Sequence, residues 1–336
     1  MQPFRLFAAT GDDVARIDTV DGQRFETIPM LEGSGAQSVA VDPGNPDRVF
    51  VGTFDHGVYR SLDAGETWDA VGAGLPHQRI PSIAISAVDR EGGQSVVYAG
   101  TEPSNLYRST DDGQTWQEFP ELPKLPSAPT WSFPPRPYTS HVRWIALHPA
   151  NPQVLYTGIE LGGVMTSRDG GATWEDRKPG SYHDSHAIIT HPLAPERVYE
   201  AAGGGVSISD DAGQTWRTVD DGMNRHYVWG LAADPADPDL WYVSASISAR
   251  EAHRRNGDAQ AHIYRKRGDS AWEQLTGGLP NPLPYMPYAL LTLNNRPGTL
   301  IAGLQHGELL LTEDAGDSWR TLDLKLPGLL ALSEAR

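Results

Sequence analysis

The 336-residue sequence contains no cysteine. Disulfides, thiolate metal ligands and cysteine nucleophiles are therefore excluded, and the fold must rest on packing and hydrogen bonds. No apolar run is long enough to cross a bilayer as a helix, so no membrane-spanning segment is expected. Basic residues are scarce: 27 Lys and Arg stand against 43 Asp and Glu, a net charge of −16. A chain of that sign lacks the basic face that phosphate contact requires, which argues against nucleic acid and membrane surfaces as partners. The opening Met1–Thr10 has neither a basic leader nor an apolar stretch of secretory length, so a cytoplasmic location is expected.

What is abundant is turn chemistry, with 35 Gly, 27 Pro and 10 Trp. A short phrase recurs: a hydroxyl residue, then Asp, Gly and Trp at fixed spacing. It runs Ser61 to Trp68, Ser109 to Trp116, Ser167 to Trp174, Ser209 to Trp216 and Thr312 to Trp319, with a worn copy ending at Trp272. The pattern predicts a hairpin turn in which the carboxylate accepts hydrogen bonds from its own turn, the glycine takes positive φ, and the tryptophan is buried against a neighbouring strand.

Each phrase closes a module of four short strands, repeating every forty to fifty residues or about one propeller blade. Later modules start near Pro81, His141, His186, Trp229 and Tyr288, giving six complete copies. Residues 5–10, 14–18 and 24–28 supply three strands of a seventh, and the tail 328–333 supplies the missing first strand. Joined tail to head, the spacing from Trp319 round to Phe25 equals that from Trp174 to Trp216. The expected fold is an all-β, seven-bladed propeller in one domain spanning 1–336, its last blade built from both termini.

The Ser-x-Asp-x-Gly-x-Thr-Trp phrase resembles the Asp-box, or BNR repeat, of sialidases, xyloglucanase-type glycoside hydrolases, sortilin-like domains and photosystem II assembly factors. That resemblance implies the propeller but leaves activity open, because the scaffold carries hydrolases, receptors and assembly chaperones alike. Arg79-Ile80-Pro81 looks like the arginine motif of sialidases, but the remaining sialidase residues are not in evident places. The xyloglucanase-type enzymes place an acidic residue before Gly-Gly. Glu160-Leu161-Gly162-Gly163 matches that position with Glu for Asp, and Glu102 holds the equivalent place one blade earlier. The resemblance implies a general acid and base there, one carboxyl kept protonated by burial and the other ionised.

Strand order sorts the histidines. His148 and His191 fall in lower turns where sister blades have Asp42 and Asp234, and read as turn residues. The other nine map to the opposite, upper face. At the starts of the first strands, equivalent positions read Gln37, Pro81, Arg143, His186, Trp229 and Tyr288. Such a ring suits a pocket for a small polar or sugar-like ligand. His141, His186 and His226, with His56 and His306 as alternates, are candidate ligands for one divalent zinc, manganese or copper ion, and no organic cofactor is expected.

The preferred reading is a metal-assisted hydrolase or lyase. Arg143 would hold an anionic group, Tyr288 or Glu160 would handle a proton, and Gln37, Arg225, Trp229 and Trp131 would contact ligand. The glycosidase using Glu102 and Glu160, and a non-catalytic interaction scaffold, remain open alternatives. Insertions at 120–140 and 246–262 decorate the upper face, the first carrying two aromatics expected to be exposed, and would serve ligand binding or a homo-oligomer contact.

Overall fold

In a computed structural model, residues 4–19 and 24–335 are described; residues 1–3, 20–23 and 336 lie outside that description. The described chain is all-β apart from one short helix, Ala249–Ala252, and two 3₁₀ turns, and it forms seven sheets. Six have four strands, and the sheet opening at Val142 has three plus an isolated bridge between Thr166 and Glu175. This is the expected seven-bladed β-propeller.

The chain divides into two compact units, residues 1–177 with 331–336, and residues 178–330. The first unit holds four blades. Its opening blade orders Ala331–Ala335, Arg5–Ala9, Val14–Thr19 and Phe25–Met30, so the last strand of the chain pairs antiparallel with the first, Phe7 opposite Ser333. The others begin at Ala36–Asp42, Ser82–Glu91 and Val142–Leu147. The first strands of these four blades pack side by side. Polar stitches join neighbours: Val41 N donates to Ser333 Oγ at 3.1 Å, and Ser82 Oγ to the Val142 carbonyl at 2.7 Å. The second unit holds three blades, opening at Ser185–His191, Tyr227–Asp234 and Pro287–Thr292, again with adjacent first strands.

Second strands read as continuous apolar runs because both of their faces are covered. Val49, Phe50 and Val51 are all fully buried, as are Val96 and Val97 in the next blade. A sheet buried on both sides loses the polar alternation of a half-exposed strand.

The Asp-box turns explain the recurring phrase. Asp63 Oδ1 accepts from Ser61 Oγ at 2.7 Å and from Thr67 N at 2.8 Å, while Oδ2 accepts from Thr67 Oγ1 at 2.6 Å. Ser61 Oγ in turn accepts from Gly65 N at 2.8 Å. Asp111, Asp169, Asp211 and Asp314 repeat this arrangement. Gly65 has φ 89°, and a Cβ there would meet Met30 Sδ at 2.8 Å. The residue before the glycine also sits in the left-handed region, Ala64 at φ 57° and Ala212 at 56°, which the phrase alone does not reveal. The tryptophans vary: Trp174, Trp272 and Trp319 are buried, whereas Trp68, Trp116 and Trp216 are half-buried.

Pairing of Ala331–Ala335 with Arg5–Ala9 covers an edge that would otherwise expose a row of unpaired backbone groups. Deleting residues 331–336 should lower Tm by about 5 °C or more and promote aggregation. Thermal unfolding followed by circular dichroism checks this, and an unchanged Tm would refute it.

Candidate functional site

The ring residues share a backbone device. In five blades the first strand carries a register shift near its start. It skips Gln37 between Ala36 and Ser38, Arg143 between Val142 and Trp144, His186 between Ser185 and Ala187, and Tyr288 between Pro287 and Ala289. In the blade opening at Tyr227 it passes over Trp229 and Gly230. A bulge leaves its extra residue out of the ladder and re-aims the side chain. The residues at the predicted ring positions of these blades are thus the bulged ones.

In the first unit a dense polar cluster forms around Glu102, which follows the strand Gln94–Gly100. Arg136 grips its carboxylate through Nε on Oε1 at 2.6 Å and Nη2 on Oε2 at 2.5 Å, and Arg79 Nη1 adds a contact at 3.0 Å. His141 lies between two acids, Nε2 3.0 Å from Glu160 Oε2 and Nδ1 3.6 Å from Glu102 Oε2. The ring of Phe133 packs on His141 at 4.4 Å, and the Arg79 guanidinium lies 4.0 Å from the centre of Phe54. Glu102, Glu160 and His141 are all buried.

Electrostatics decides what these groups can do. Burial alone would raise the Glu102 carboxyl, but hydrogen bonds from Arg136, His141 and Arg79 outweigh it and bring the pKa to about 2. Burial likewise opposes charge on His141, yet its bonds to Glu102 and Glu160 raise it above the usual imidazole range. Glu102 is therefore a fixed carboxylate. Of the two glutamates, Glu102 is the ionised one, because two guanidiniums accompany it. Arg143 lies close enough for its charge to act on His141 against protonation.

The 120–140 insertion also departs from expectation. Trp131 is buried, its Nε1 donating to Ser127 Oγ at 2.9 Å, and it packs in a core with Phe119, Leu122 and Leu125. It is a core anchor and offers no face to a sugar. Phe133 is half-buried, and Tyr138 is the exposed aromatic of the segment. Gln37 Nε2 reaches the Gly35 carbonyl at 3.3 Å, and the exposed His56 has Nδ1 3.2 Å from the Ser34 carbonyl.

In the second unit His186 is 1% exposed. Its Nδ1 donates to the Val228 carbonyl at 2.6 Å, leaving Nε2 buried without a hydrogen-bond partner and 3.3 Å from Asp184 Oδ1. The imidazole packs against Trp229 at 4.5 Å and Tyr227 at 4.9 Å. Trp229 also stacks on Tyr288 at 5.3 Å, so its indole is already partnered by protein rings. His253, which the sequence did not single out, bridges two phenols: Nε2 is 2.8 Å from Tyr227 Oη and Nδ1 2.6 Å from Tyr288 Oη. Arg225 is tied to backbone carbonyls of Gln260 and Asn224. His226 and His306 are exposed, the latter stacked on Tyr285 at 4.4 Å.

His148 and His191 behave as turn residues. His148 Nδ1 accepts from Ala150 N and Asn151 N at 3.1 and 3.0 Å, and His191 Nδ1 accepts from Leu193 N at 3.2 Å. Asp42 does the same for Gly44 N at 2.8 Å. A neutral imidazole here substitutes for a carboxylate acceptor.

Glu102 supplies a pH prediction. With its folded pKa depressed to about 2, its contribution to stability is present above the ordinary carboxylate value and is lost as pH falls from about 4.5 toward 2. Glu102→Gln should lower Tm at pH 6, and the gap between variant and parent should narrow steadily as pH falls to 2.5. Tm measured against pH for both proteins checks this; a gap that does not narrow would refute the assignment.

The BNR/Asp-box repeat family matches residues 107–118. No curated protein sequence matches the chain. Among solved structures, an ancestral GH74 enzyme superposes with TM-score 0.67 at 19% identity, covering 85% of this chain and 38% of that one. The GH74 xyloglucanase from Xanthomonas campestris gives TM-score 0.68 at 14% identity, covering 98% and 56%. YCF48 bound to D1 peptide gives TM-score 0.60 at 16% identity, covering 96% and 84%. The chain thus spans less than two thirds of either GH74 enzyme, and at these identities the likeness is one of fold. The chain is a seven-bladed β-propeller carrying BNR/Asp-box repeats.

Proposed function

We propose that the protein is a metal-assisted hydrolase or lyase acting on a small polar or sugar-like ligand, with His186 and Asp184 as metal ligands. One observation carries this reading: the buried Nε2 of His186 has no hydrogen-bond partner and lies 3.3 Å from a carboxylate oxygen of Asp184, while Nδ1 donates to the Val228 carbonyl. A buried imidazole nitrogen beside a carboxylate is a donor pair for a cation, and a backbone carbonyl on the far ring nitrogen is the usual orienting partner of a metal-bound imidazole. Zinc, manganese and copper all suit a nitrogen and oxygen donor set. Bound there, the metal would polarise a carbonyl or acidify a water. The protein's own groups orient the imidazole through Val228 and wall the site with Trp229 and Tyr227.

A second reading, the non-catalytic scaffold, draws on coverage: 96% of the chain maps onto 84% of a peptide-bound YCF48, whereas it maps onto only part of each GH74 enzyme. Under it, the same face would hold a protein partner.

Titration of purified, chelator-stripped protein with Zn²⁺ or Mn²⁺ by calorimetry separates the two. The metal reading expects one ion per chain. It also expects His186→Ala and Asp184→Ala each to weaken binding by roughly 10- to 100-fold or more, with Tm in the metal-free state close to the parent's. Hydrolysis of glycosyl test substrates should be lost in EDTA and restored by metal. No stoichiometric metal in the native protein or in titration would overturn the reading.

A further inference from the structure

Four side chains of the second unit form a hydrogen-bonded chain of which the metal reading uses only Tyr227, as a wall. Tyr227 comes from the start of the strand Tyr227–Asp234, and Tyr288 from the bulge in Pro287–Thr292. Gln305 follows the strand Leu300–Leu304. His253 closes the short helix Ala249–Ala252 in the 246–262 insertion. The insertion is pinned, with Ala259 N on the Pro284 carbonyl at 2.9 Å, Ala261 and Leu283 bonded reciprocally, and Ser246 Oγ on the Ala259 carbonyl at 2.6 Å. His253 is thus presented by ordered backbone, not by a free loop.

The directions of these bonds follow from proton counting. Gln305 Nε2 donates to Tyr288 Oη at 2.9 Å. A phenol carries one hydrogen, and with Gln305 donating to it that of Tyr288 is available to His253 Nδ1, 2.6 Å away. With Nδ1 accepting, the imidazole hydrogen resides on Nε2 and is donated to Tyr227 Oη at 2.8 Å. The result has the form of an activated nucleophile: a hydroxyl bonded to a base, and the base oriented by a third group.

We propose that Tyr288 is a nucleophilic phenol that accepts acyl groups from esters, with His253 as its base and Tyr227 and Gln305 as positioning residues. In the attack, Tyr288 Oη bonds to the acyl carbon while its proton passes to His253 Nδ1. The bond from that carbon to the leaving oxygen then breaks, and His253 returns the proton to it, releasing an alcohol. Water cleaves the acyl-tyrosine by the same exchange. Tyr288 is half-buried and His253 exposed, so the phenol is reachable. The proposal is independent of the metal, since neither Tyr288 nor His253 is a ligand in that reading.

The test compares tyrosines within one molecule. Full-length protein in EDTA is treated with 4-(2-aminoethyl)benzenesulfonyl fluoride. The phenol oxygen bonds to sulfur, fluoride leaves and His253 takes the proton; sites are quantified by peptide mass spectrometry. Tyr138, 84% exposed, is the internal control. Tyr288 should be labelled at least tenfold faster than Tyr138. His253→Phe should bring its rate down to that of Tyr138 without changing the control, and His253→Gln should do the same if the Phe variant does not fold. A burst of about one equivalent of 4-nitrophenol from 4-nitrophenyl acetate should vanish in Tyr288→Phe. Labelling of Tyr288 no faster than Tyr138, or undiminished in the folded His253 variant, would overturn the proposal. Loss of metal binding alone would leave it standing.

Discussion

The hydrogen-bonded Asp-box turn is the constraint on which the rest of each blade depends. One carboxylate accepts from a serine or threonine hydroxyl before it and from both the backbone N–H and the hydroxyl of a residue four positions on, locking the hairpin between third and fourth strands. The effect on the carboxyl is direct. Hydrogen bonds from Thr67 depress Asp63 to about 2, and the equivalent bonds from Thr215 and Ser318 do so at Asp211 and Asp314. These groups are solvent-facing, so their stabilisation comes from shaping the turn more than from burying charge. In an antiparallel blade the third-to-fourth turn and the start of the first strand lie at opposite ends. Fixing one end by local chemistry frees the other to vary, and there the bulges hold Gln37, Arg143, His186, Trp229 and Tyr288.

Burial of charge follows a different logic at Glu102. A lone carboxylate removed from water would be neutralised; this one keeps its charge because three donors arrive from different parts of the chain. Both guanidiniums lean on Phe54 or Phe133, which holds their planes in place while leaving part of each wet. Within this cluster His141 Nδ1 is buried without a hydrogen-bond partner, as His186 Nε2 is in the second unit, but here two guanidiniums already balance the neighbouring carboxylate.

The fold was legible because its signal is local and repeated. Ser61 to Trp68 contains nearly all the partners of its own turn, so one phrase read five times predicts five hairpins, and the spacing to Phe25 finds the blade shared by the termini. The ring positions were legible for the same reason, as aligned starts of first strands. What sequence could not show is pairing at a distance. Nothing in the run from Pro120 to Ser140 marks Arg136 as the partner of Glu102, and its prolines suggest an open arch, although Leu122, Leu125 and Trp131 fold into the core. His253 was one of nine histidines until its two phenols were brought beside it.

Histidine itself carries the last step. At the lower ends of the blades an imidazole replaces an aspartate as acceptor for the next backbone N–H groups, as His148 does for Ala150 and Asn151. That role needs one neutral nitrogen and nothing more. At the opposite ends His141 lies between two carboxylates, His253 between two phenols, and His186 between a carbonyl and a carboxylate. The three environments call for different proton inventories. Two acids favour the cation, two phenols fix a neutral tautomer that can take one proton, and a carbonyl with a carboxylate calls for a cation, proton or metal, at the second nitrogen. Position along the blade therefore separates histidines that shape turns from histidines able to do chemistry, and the partner on the second nitrogen decides which chemistry is open to each.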